Sequence, residues 1–374
     1  MSSRSKAPCA TPRWSEADQR YMQLALELAE RGLYTTHPNP RVGCVLVRDD
    51  EIVGSGWHQR AGEAHAEVHA LRMAGERARG ATAYVTLEPC AHHGRTPPCA
   101  DALIAAGVRR VVAAMRDPFP AVDGAGLRRL DAAGIEVGSG LLEAAAEELN
   151  LGFLSRVRRH RPWIRVKLGL SLDARTALAD GRSQWITGPA ARADVQHWRA
   201  RSSGVLTGIG TLLADDPQLT VRREDLPPVQ PERIVLDSRA RMPASARLLQ
   251  TPGPVLWVHA AEASAAPMPA QVETLTLPLQ HGRLPLARLA YALAQRGHNE
   301  ILVEAGATLA GAWVAAGLVD ELICYVAPRL LGSDARAALA LPPLAELSDA
   351  RPWRWQSVDR VGEDLRLVLR APAD

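Results

Sequence analysis

Strand-like and helix-like segments alternate along this chain in two long runs, and a short basic stretch divides them. No other feature narrows the fold as much, because such alternation builds layered sheets with helices laid over them. In the first run "GCVLVRDDEIVGSGWH" reads as a hairpin turning at Asp49 and Asp50, and "HAEVHALRMAGERA" as a helix. The strands "ATAYVTL", "RRVVAAM" and "IEVGSG" then interleave with the helices "CADALIAAG", "GLRRLDAAG" and "LLEAAAEELN". A further helix precedes them. Ser15 is its N-cap with Asp18 three residues on, Tyr21, Leu24, Ala25 and Leu28 form its apolar face, and Gly32 ends it. The second run opens at "WIRVKLGLSLD" and holds the buried-strand patterns "RIVLDS", "PVLWVHA", "EILVEAG" and "ELICYVA".

A chain of 374 residues exceeds what one core serves. The expected organisation is a disordered tail over residues 1–14, a first α/β domain over 15–154, a linker over 155–162 and a second α/β domain over 163–374. The basic run of that linker, "SRVRRHRP", reads as a solvated face.

Charge and composition remove several function classes. The net charge of +3 is carried by Arg4, Lys6 and Arg13, and the rest of the chain balances. With only two Phe and five Tyr for base stacking, no nucleic-acid partner is expected. The longest apolar run, Leu309 to Val319, is too short to span a membrane, and residues 1–14 lack the apolar core of a secretory signal. Five cysteines, an odd number, argue against a disulfide framework and for a reducing cytoplasm. There a cysteine cluster signals metal binding or catalysis.

Such a cluster is present. Cys90 and Cys99 lie in "VTLEPCAHHGRTPPCADAL", and upstream "GEAHAEVHA" sets His65 and Glu67 at the start of a helix. One imidazole and two thiols, with a fourth position open, is the composition of a catalytic zinc site. Glu67 is two residues from His65, so both approach one metal only from the first turn of the helix, where the helix N-terminus also favours thiolate and hydroxide. Zinc lowers the pKa of a bound water to about 7, and Glu67 is placed to carry its proton to the ring nitrogen and leaving amine. Zinc deaminases show the signature H-x-E…P-C-x-x-C. Here the spacing from Cys90 to Cys99 is longer, which leaves His92 and His93 as alternatives for the third ligand. Cys99 is preferred because it opens a helix. "HAEVH" also pairs His65 with His69 as zinc proteases do, but Ala66 stands where that motif needs Glu. A closed structural zinc site takes four protein ligands and leaves Glu67 without a task. Cys9, Cys44 and Cys324 receive no role.

The second half speaks less. It has no G-x-G-x-x-G turn, so a Rossmann dinucleotide domain is not indicated. "EILVEAGATLAGAWVAAG" is a strand, a glycine turn and a helix, which points backbone N–H groups at an anion such as a pyrophosphate. "GIGTLLADDPQLTVR" adds Gly208 and Gly210 as a second close approach of backbone to ligand.

At these residues the chain resembles the bifunctional deaminase–reductase family of riboflavin biosynthesis. "HPNPRVGCVLV", "HQRAGEAHAEVHAL", "YVTLEPCAHHGRTPPCADALI" and "RVVAAMRDP" match its deaminase half, and the long insert between the cysteines is that family's own variant. "KLGLSLDARTA", "SQWITGP", "LTGIGTLLADDPQLTVR", "VEAGATLAGAW" and "DELICYVAPRLLG" match its reductase half. The resemblance covers about residues 15 to 370. It implies an α/β chain with an N-terminal cytidine-deaminase-like α/β/α layered domain and a C-terminal dihydrofolate-reductase-like α/β domain. The first would deaminate 2,5-diamino-6-(5-phosphoribosylamino)pyrimidin-4-one at C2, with His65, Cys90 and Cys99 on Zn2+, Glu67 shuttling the proton and Asn39 orienting the pyrimidine. The second would reduce the ribosyl group to ribityl with NADPH.

Residue by residue, Gly169, Trp185, Thr211, Asp215 and the turn of Gly306, Ala307, Thr308, Leu309, Ala310, Gly311 and Ala312 match the family's NADP-binding positions. Ser238, after "RIVLD", is a further candidate for the cofactor's ribose phosphate. Ser183, Arg199, Leu219, Arg222 and Glu304 match positions lining the substrate, and arginine suits its phosphate. Lys167, on the strand entering the site, is expected to assist ring opening or hold the substrate. The implied partners are a small phosphorylated pyrimidine and a second copy of the chain, dimerised through the reductase domain, with no nucleic acid and no membrane. Two readings compete: a monofunctional zinc nucleobase or nucleic-acid deaminase with a non-catalytic appended domain, and a zinc-stabilised scaffold without turnover.

Overall fold

The structure is a computed structural model that describes residues 14–91, 98–120, 122–225, 227 and 229–372. The tail expected over residues 1–14 lies outside them, Trp14 excepted, as do Cys9, His92 and His93. The chain divides into two compact units, 1–154 and 155–374. Among the described residues no helix is long and apolar enough to cross a membrane.

The first unit carries α1 (Glu16–Glu30), β1 (Gly43–Arg48), β2 (Glu51–Trp57), α2 (Ala66–Ala74), β3 (Thr82–Val85), α3 (Cys99–Ala106), β4 (Arg110–Ala113), α4 (Ala125–Ala132), β5 (Glu136–Ser139) and α5 (Glu143–Leu149). Its sheet runs β2-β1-β3-β4-β5. The β1–β2 hairpin turns at Asp49 and Asp50, both left-handed at φ 52° and 59°, as a tight hairpin with right-twisted strands requires. The capping box at Ser15 is present, and Asp18 does more than cap. It is buried and accepts from Tyr84 Oη at 2.8 Å and Arg110 Nη1 at 2.7 Å, tying α1 to β3 and β4. The helix buries Tyr21, Met22, Ala25, Leu26 and Ala29, a face rotated from the expected one, with Leu24 and Leu28 only half-buried. The rotation sets the small residues Ala25 and Ala29 against β1.

Gly56 on β2 lets α2 settle onto the sheet, because a Cβ there would stand 2.5 Å from Cβ of His69 and 2.7 Å from the carbonyl of Ala66. The same contact delivers the start of α2, with His65 and Glu67, to the edge where β3 ends.

A helix α6 (Leu151–Arg159) contains the division between the units. This corrects the linker expected over 155–162: the segment is helical to Arg159, and its basic run is solvated only in part, with Arg158, Arg159 and His160 exposed and Arg156 and Arg161 half-buried. Arg156 Nε donates to Asn299 Oδ1 at 2.6 Å, and Arg159 and Arg161 both bond Asp320, at 2.8 Å and 2.7 Å. Partners far along the chain thus fasten one side of the run, while the other side stays in water.

The second unit follows with β6 (Trp163–Ser171), β7 (Arg175–Ala177), α7 (Pro189–Arg201), β8 (Gly204–Gly208), α8 (Ile209–Asp215), β9 (Glu232–Leu236), β10 (Val255–Ala260), β11 (Val272–Leu277), α9 (Leu286–Gln295), β12 (Glu300–Val303), α10 (Ala307–Ala315), β13 (Glu321–Ala327), β14 (Arg336–Ala337), β15 (Arg354–Val361) and β16 (Asp364–Arg370). Nine strands form one sheet in the order β11-β10-β9-β8-β12-β6-β13-β16-β15. From β11 to β13 all neighbours are parallel, so the C-terminal ends of β8, β12 and β6 share one edge. The chain runs outward from β8 to β11 and then returns to insert β12 between β8 and β6, a switch point of the kind where open α/β sheets bind ligands. Along β6 the residues Ile164, Val166, Leu168 and Leu170 enter the main core with Leu289, Leu293 and Trp313. Strand alternation therefore turns Arg165, Lys167 and Gly169 to the opposite face.

Candidate active sites in the two units

In the first unit His65, Cys90 and Cys99 bring their ligand atoms within 4.8 Å of one another. His65 is the N-cap of α2, Cys90 follows β3 after a short bend, and Cys99 is the first residue of α3. The Nδ1 atom of His65 stands 3.2 Å from Cys99 Sγ and 3.7 Å from Cys90 Sγ. Tetrahedral zinc, with bonds of about 2.0 Å to nitrogen and 2.3 Å to sulfur, sets its ligand atoms about 3.5 Å apart, so the donor set and its spacing fit. Cys90 also does the work of a helix cap. Its Sγ and its carbonyl accept the first two N–H groups of α3, from Cys99 at 3.3 Å and Ala100 at 3.1 Å, where Pro98 offers no capping side chain.

A hydrogen bond from Cys99, then those from His65 and the α3 backbone, pull the Cys90 thiol down against its burial, while Cys99, holding the proton toward Cys90 in a buried setting, is pushed far up. His65 is raised, chiefly by its bond to Cys90. A dication between two thiolates removes that conflict, because it favours the charged form of both. Glu67 lies in the first turn of α2 at 3% exposure, and burial raises its carboxyl, with His65 opposing.

His58, absent from the sequence expectations, belongs to this site. Its ring meets that of His65 edge-on with centroids 5.4 Å apart. Its Nδ1 bonds the carbonyl of Ala64 at 3.2 Å and its Nε2 the Nδ2 of Asn39 at 3.0 Å, and burial lowers its pKa, which keeps it neutral. Asn39 thus joins the metal cluster through His58. His69 does not converge with the cluster, which leaves the protease-like pair unformed. Cys44, on β1, is buried and its thiol is pushed up by burial and then by Glu67.

In the second unit the edge at β8, β12 and β6 gathers most of the expected residues. The turns at Gly208 and Gly306 open α8 and α10, and Gly306 N donates to Thr211 Oγ1 at 3.2 Å, so the two turns are fastened to each other. Leu309 closes over Gly208, whose Cβ would stand 3.0 Å from it, whereas a Cβ on Gly306 would stand 3.9 Å from Thr211 Oγ1 and one on Gly210 would meet nothing within 4 Å. Ala310 and Gly311 are buried within α10, Gly311 against the backbone of Ala340, and are not part of the open turn. Asp215 ends α8 and is exposed. Ser238 follows β9 in a turn organised by buried Asp237, which accepts from the backbone of Arg241 and, at 2.8 Å, of Met242.

Charges collect beside this edge. Arg199 grips Glu304 through both carboxylate oxygens, at 2.6 Å and 2.9 Å, and donates to the carbonyl of Thr220 at 3.0 Å. Burial alone would raise Glu304, but Arg199, Lys167 and Arg222 hold it at about 2. Lys167 is lowered by burial, and Glu304 and Arg199 act on it in opposite senses. Near Lys167, a Cβ on Gly169 would stand 3.9 Å from its Nζ and 3.7 Å from Thr187. The fork of Arg199 is thus occupied by Glu304, while Arg222, the other expected arginine, is exposed and bonds Gln218 at 3.3 Å. Leu219 is 2% exposed and left-handed at φ 55°, and its side chain serves the core. Trp185 is 62% exposed, with Arg192 stacked 4.6 Å from its ring centre, on the segment that also bears Ser183.

Residues 15–115 match the cytidine and deoxycytidylate deaminase zinc-binding region, and residues 162–367 match the RibD C-terminal domain. The riboflavin biosynthesis protein RibD of Escherichia coli is 56% identical over 363 residues, covering 94% of this chain and 99% of that protein. The RibD of Haemophilus influenzae is 48% identical, covering 95% and 98%. Among solved structures, Acinetobacter baumannii RibD superposes with a TM-score of 0.89 at 47% identity over 96% of this chain and 99% of that one. A diaminohydroxyphosphoribosylaminopyrimidine deaminase/5-amino-6-(5-phosphoribosylamino)uracil reductase from Thermotoga maritima gives 0.86 at 31% identity, over 95% and 99%. The first unit thus contains a zinc-binding deaminase domain and the second an NADPH-dependent reductase domain, which sets aside the reading of a monofunctional deaminase with a non-catalytic appendage. The chain belongs to the RibD family of bifunctional enzymes that deaminate and then reduce a pyrimidine intermediate of riboflavin biosynthesis.

Proposed function

We propose that residues 15–154 perform the deamination and residues 163–374 the reduction, with the residues assigned as follows. His65 through Nδ1, Cys90 and Cys99 would hold zinc. Bound there, zinc would supply the Lewis acidity that makes water a nucleophile near neutral pH. Glu67 takes one proton from the attacking water and gives it to the pyrimidine ring nitrogen, then takes the proton of the hydroxyl so formed and gives it to the amine, which leaves as ammonia while the carbonyl forms. Asn39, steadied by His58, orients the pyrimidine. The carrying observation is the convergence of one imidazole nitrogen and two sulfurs within 4.8 Å, with Glu67 buried in the adjoining turn.

In the reductase unit the Gly208–Thr211 and Gly306–Leu309 turns receive the phosphates of NADPH, with Ser238 at the ribose phosphate and Gly169, Trp185 and Asp215 bordering the cofactor. NADPH supplies the hydride when bound. Arg222 takes the substrate phosphate, Ser183 and the backbone of Leu219 border the ribosyl chain, and the Arg199–Glu304 pair fixes the wall beside Lys167. Lys167, depressed by burial, hydrogen-bonds the substrate and helps hold its ring-opened form. The enzyme works as a homodimer through the reductase unit. In favour of this, β15 ends the nine-stranded sheet, and Trp355, Val358 and Leu365 on the β15–β16 hairpin are exposed. The free thiols fit a reducing cytoplasm.

One paired assay tests the assignment. Purified protein is followed for ammonia release from the diaminopyrimidine and for NADPH oxidation with the deaminated product, before and after treatment with a zinc chelator. The expected outcome is loss of ammonia release alone, restored by added zinc. Ammonia release that survives metal removal defeats the zinc assignment, and zinc retention without turnover in either assay favours the scaffold reading.

A further inference from the structure

Glu88 lies two residues before Cys90 and is 3% exposed, yet the chemistry above gives it no task. Its carboxylate is held by backbone. Oε1 accepts from Gly126 N at 2.9 Å and Leu127 N at 3.2 Å, and Oε2 from Gly124 N at 3.0 Å and Asp117 N at 3.3 Å. Gly124 is the N-cap of α4 and has no side chain with which to cap it, so Glu88 satisfies the orphan N–H groups from across the fold. Gly126 makes the approach possible: a Cβ there would stand 1.8 Å from the carbonyl oxygen of Pro89. The start of α4 therefore lies directly on the peptide that leads into Cys90. On the far side of that peptide, Cys90 is fastened to the start of α3 through its sulfur and its carbonyl.

We infer that Glu88 is a positioning residue for the metal centre, clamping the Pro89–Cys90 peptide against α4 so that the Cys90 sulfur is held at the vertex facing His65 and Cys99. A buried carboxylate on four backbone donors is a stiff joint, and outer groups that orient a ligand typically contribute a factor of about 10–100 in metal affinity. The inference rests on the ligand assignment proposed above.

Glu88→Gln tests it, since the amide keeps the shape but turns an NH2 toward N–H donors. Zinc affinity, measured by competition with a chromophoric chelator, falls by about 10–100-fold. The cobalt-substituted protein shows shifted d–d and thiolate-to-metal bands, and kcat for ammonia release drops more than KM changes. NADPH oxidation with the deaminated substrate stays at the parent value, and Glu88→Asp, which keeps the charge, recovers part of the affinity. Thermal unfolding is compared in metal-loaded and metal-stripped protein. Positioning predicts a larger loss of stability in the loaded form. Equal losses in both forms reduce Glu88 to a structural cap and overturn the inference, as do unchanged zinc affinity and unchanged cobalt bands. Should the Gln variant not fold, Glu88→Asp is carried through the same measurements with the same criteria. His65→Ala separates the two failures: if it leaves zinc affinity intact, the ligand assignment falls, whatever Glu88 does.

Discussion

Replacing Arg199 with Met tests how the reductase unit holds its charges, because Met fills the volume of the arginine stem and removes only the guanidinium. In the parent, burial by itself would raise Glu304, yet Arg199, Lys167 and Arg222 hold it at about 2 against an ordinary 4.5. That drop corresponds to about 3 kcal/mol in favour of the folded, ionised form. The folded pKa lies below the unfolded one, so this stabilisation is complete above about pH 4.5 and is lost as the pH falls toward about 2. Without the fork, burial prevails over the remaining cations and Glu304 titrates at a higher pH. Chemical denaturation of the reductase unit should then show the variant less stable than the parent by about 3 kcal/mol near pH 7, the scale on which a buried pair loses one partner. The gap should close between about pH 4.5 and about pH 2, where both proteins carry a neutral carboxyl. NADPH oxidation with the deaminated substrate should fall, and ammonia release should remain. A stability gap under about 1 kcal/mol, or one that stays flat as the pH is lowered, refutes the reasoning.

Glu67→Gln should keep zinc and reductase turnover while deamination falls by about 10²–10⁴-fold, since the amide cannot carry a proton; normal ammonia release from this variant would remove Glu67 from the mechanism. Thr211→Val deletes the hydroxyl that accepts the N–H of Gly306 at 3.2 Å. The loss of about 1 kcal/mol should raise KM for NADPH about fivefold, read by steady-state oxidation kinetics, and an unchanged KM would mean that the two glycine turns do not form one cofactor site.

The two units differ in how openly the sequence displays their chemistry, and the reason is distance along the chain. His65, Glu67, Cys90 and Cys99 fall within a short stretch, and three of them stand at or near the start of a helix that its own local pattern announces. Residue type, spacing and helix position all speak at once. His58 escaped notice because its partner Asn39 precedes it by 19 residues in a loop with no period, and nothing local marks a buried neutral histidine. The rotated face of α1 has a similar origin: the apolar pattern of the helix admits two neighbouring stripes, and the sheet beneath takes the one with the smaller side chains.

In the reductase unit the charged wall is assembled from β6, α7 and the residue that follows β12, and Arg199 and Glu304 are 105 residues apart. Each looks ordinary in its own segment, so only the resemblance singled them out, and it could not show that they spend their charges on each other. The ion pairs of the basic run near Ser155 were hidden for the same reason, since Asp320 lies about 160 residues beyond it. A carboxylate such as Glu88 is the extreme case. Its partners are backbone N–H groups, which every residue but proline carries, so no residue pattern can announce the contact. What marks the place instead is Gly126, a glycine inside a helix where propensity disfavours it, and such a glycine is the signal by which a buried helix-capping carboxylate can be sought in a sequence.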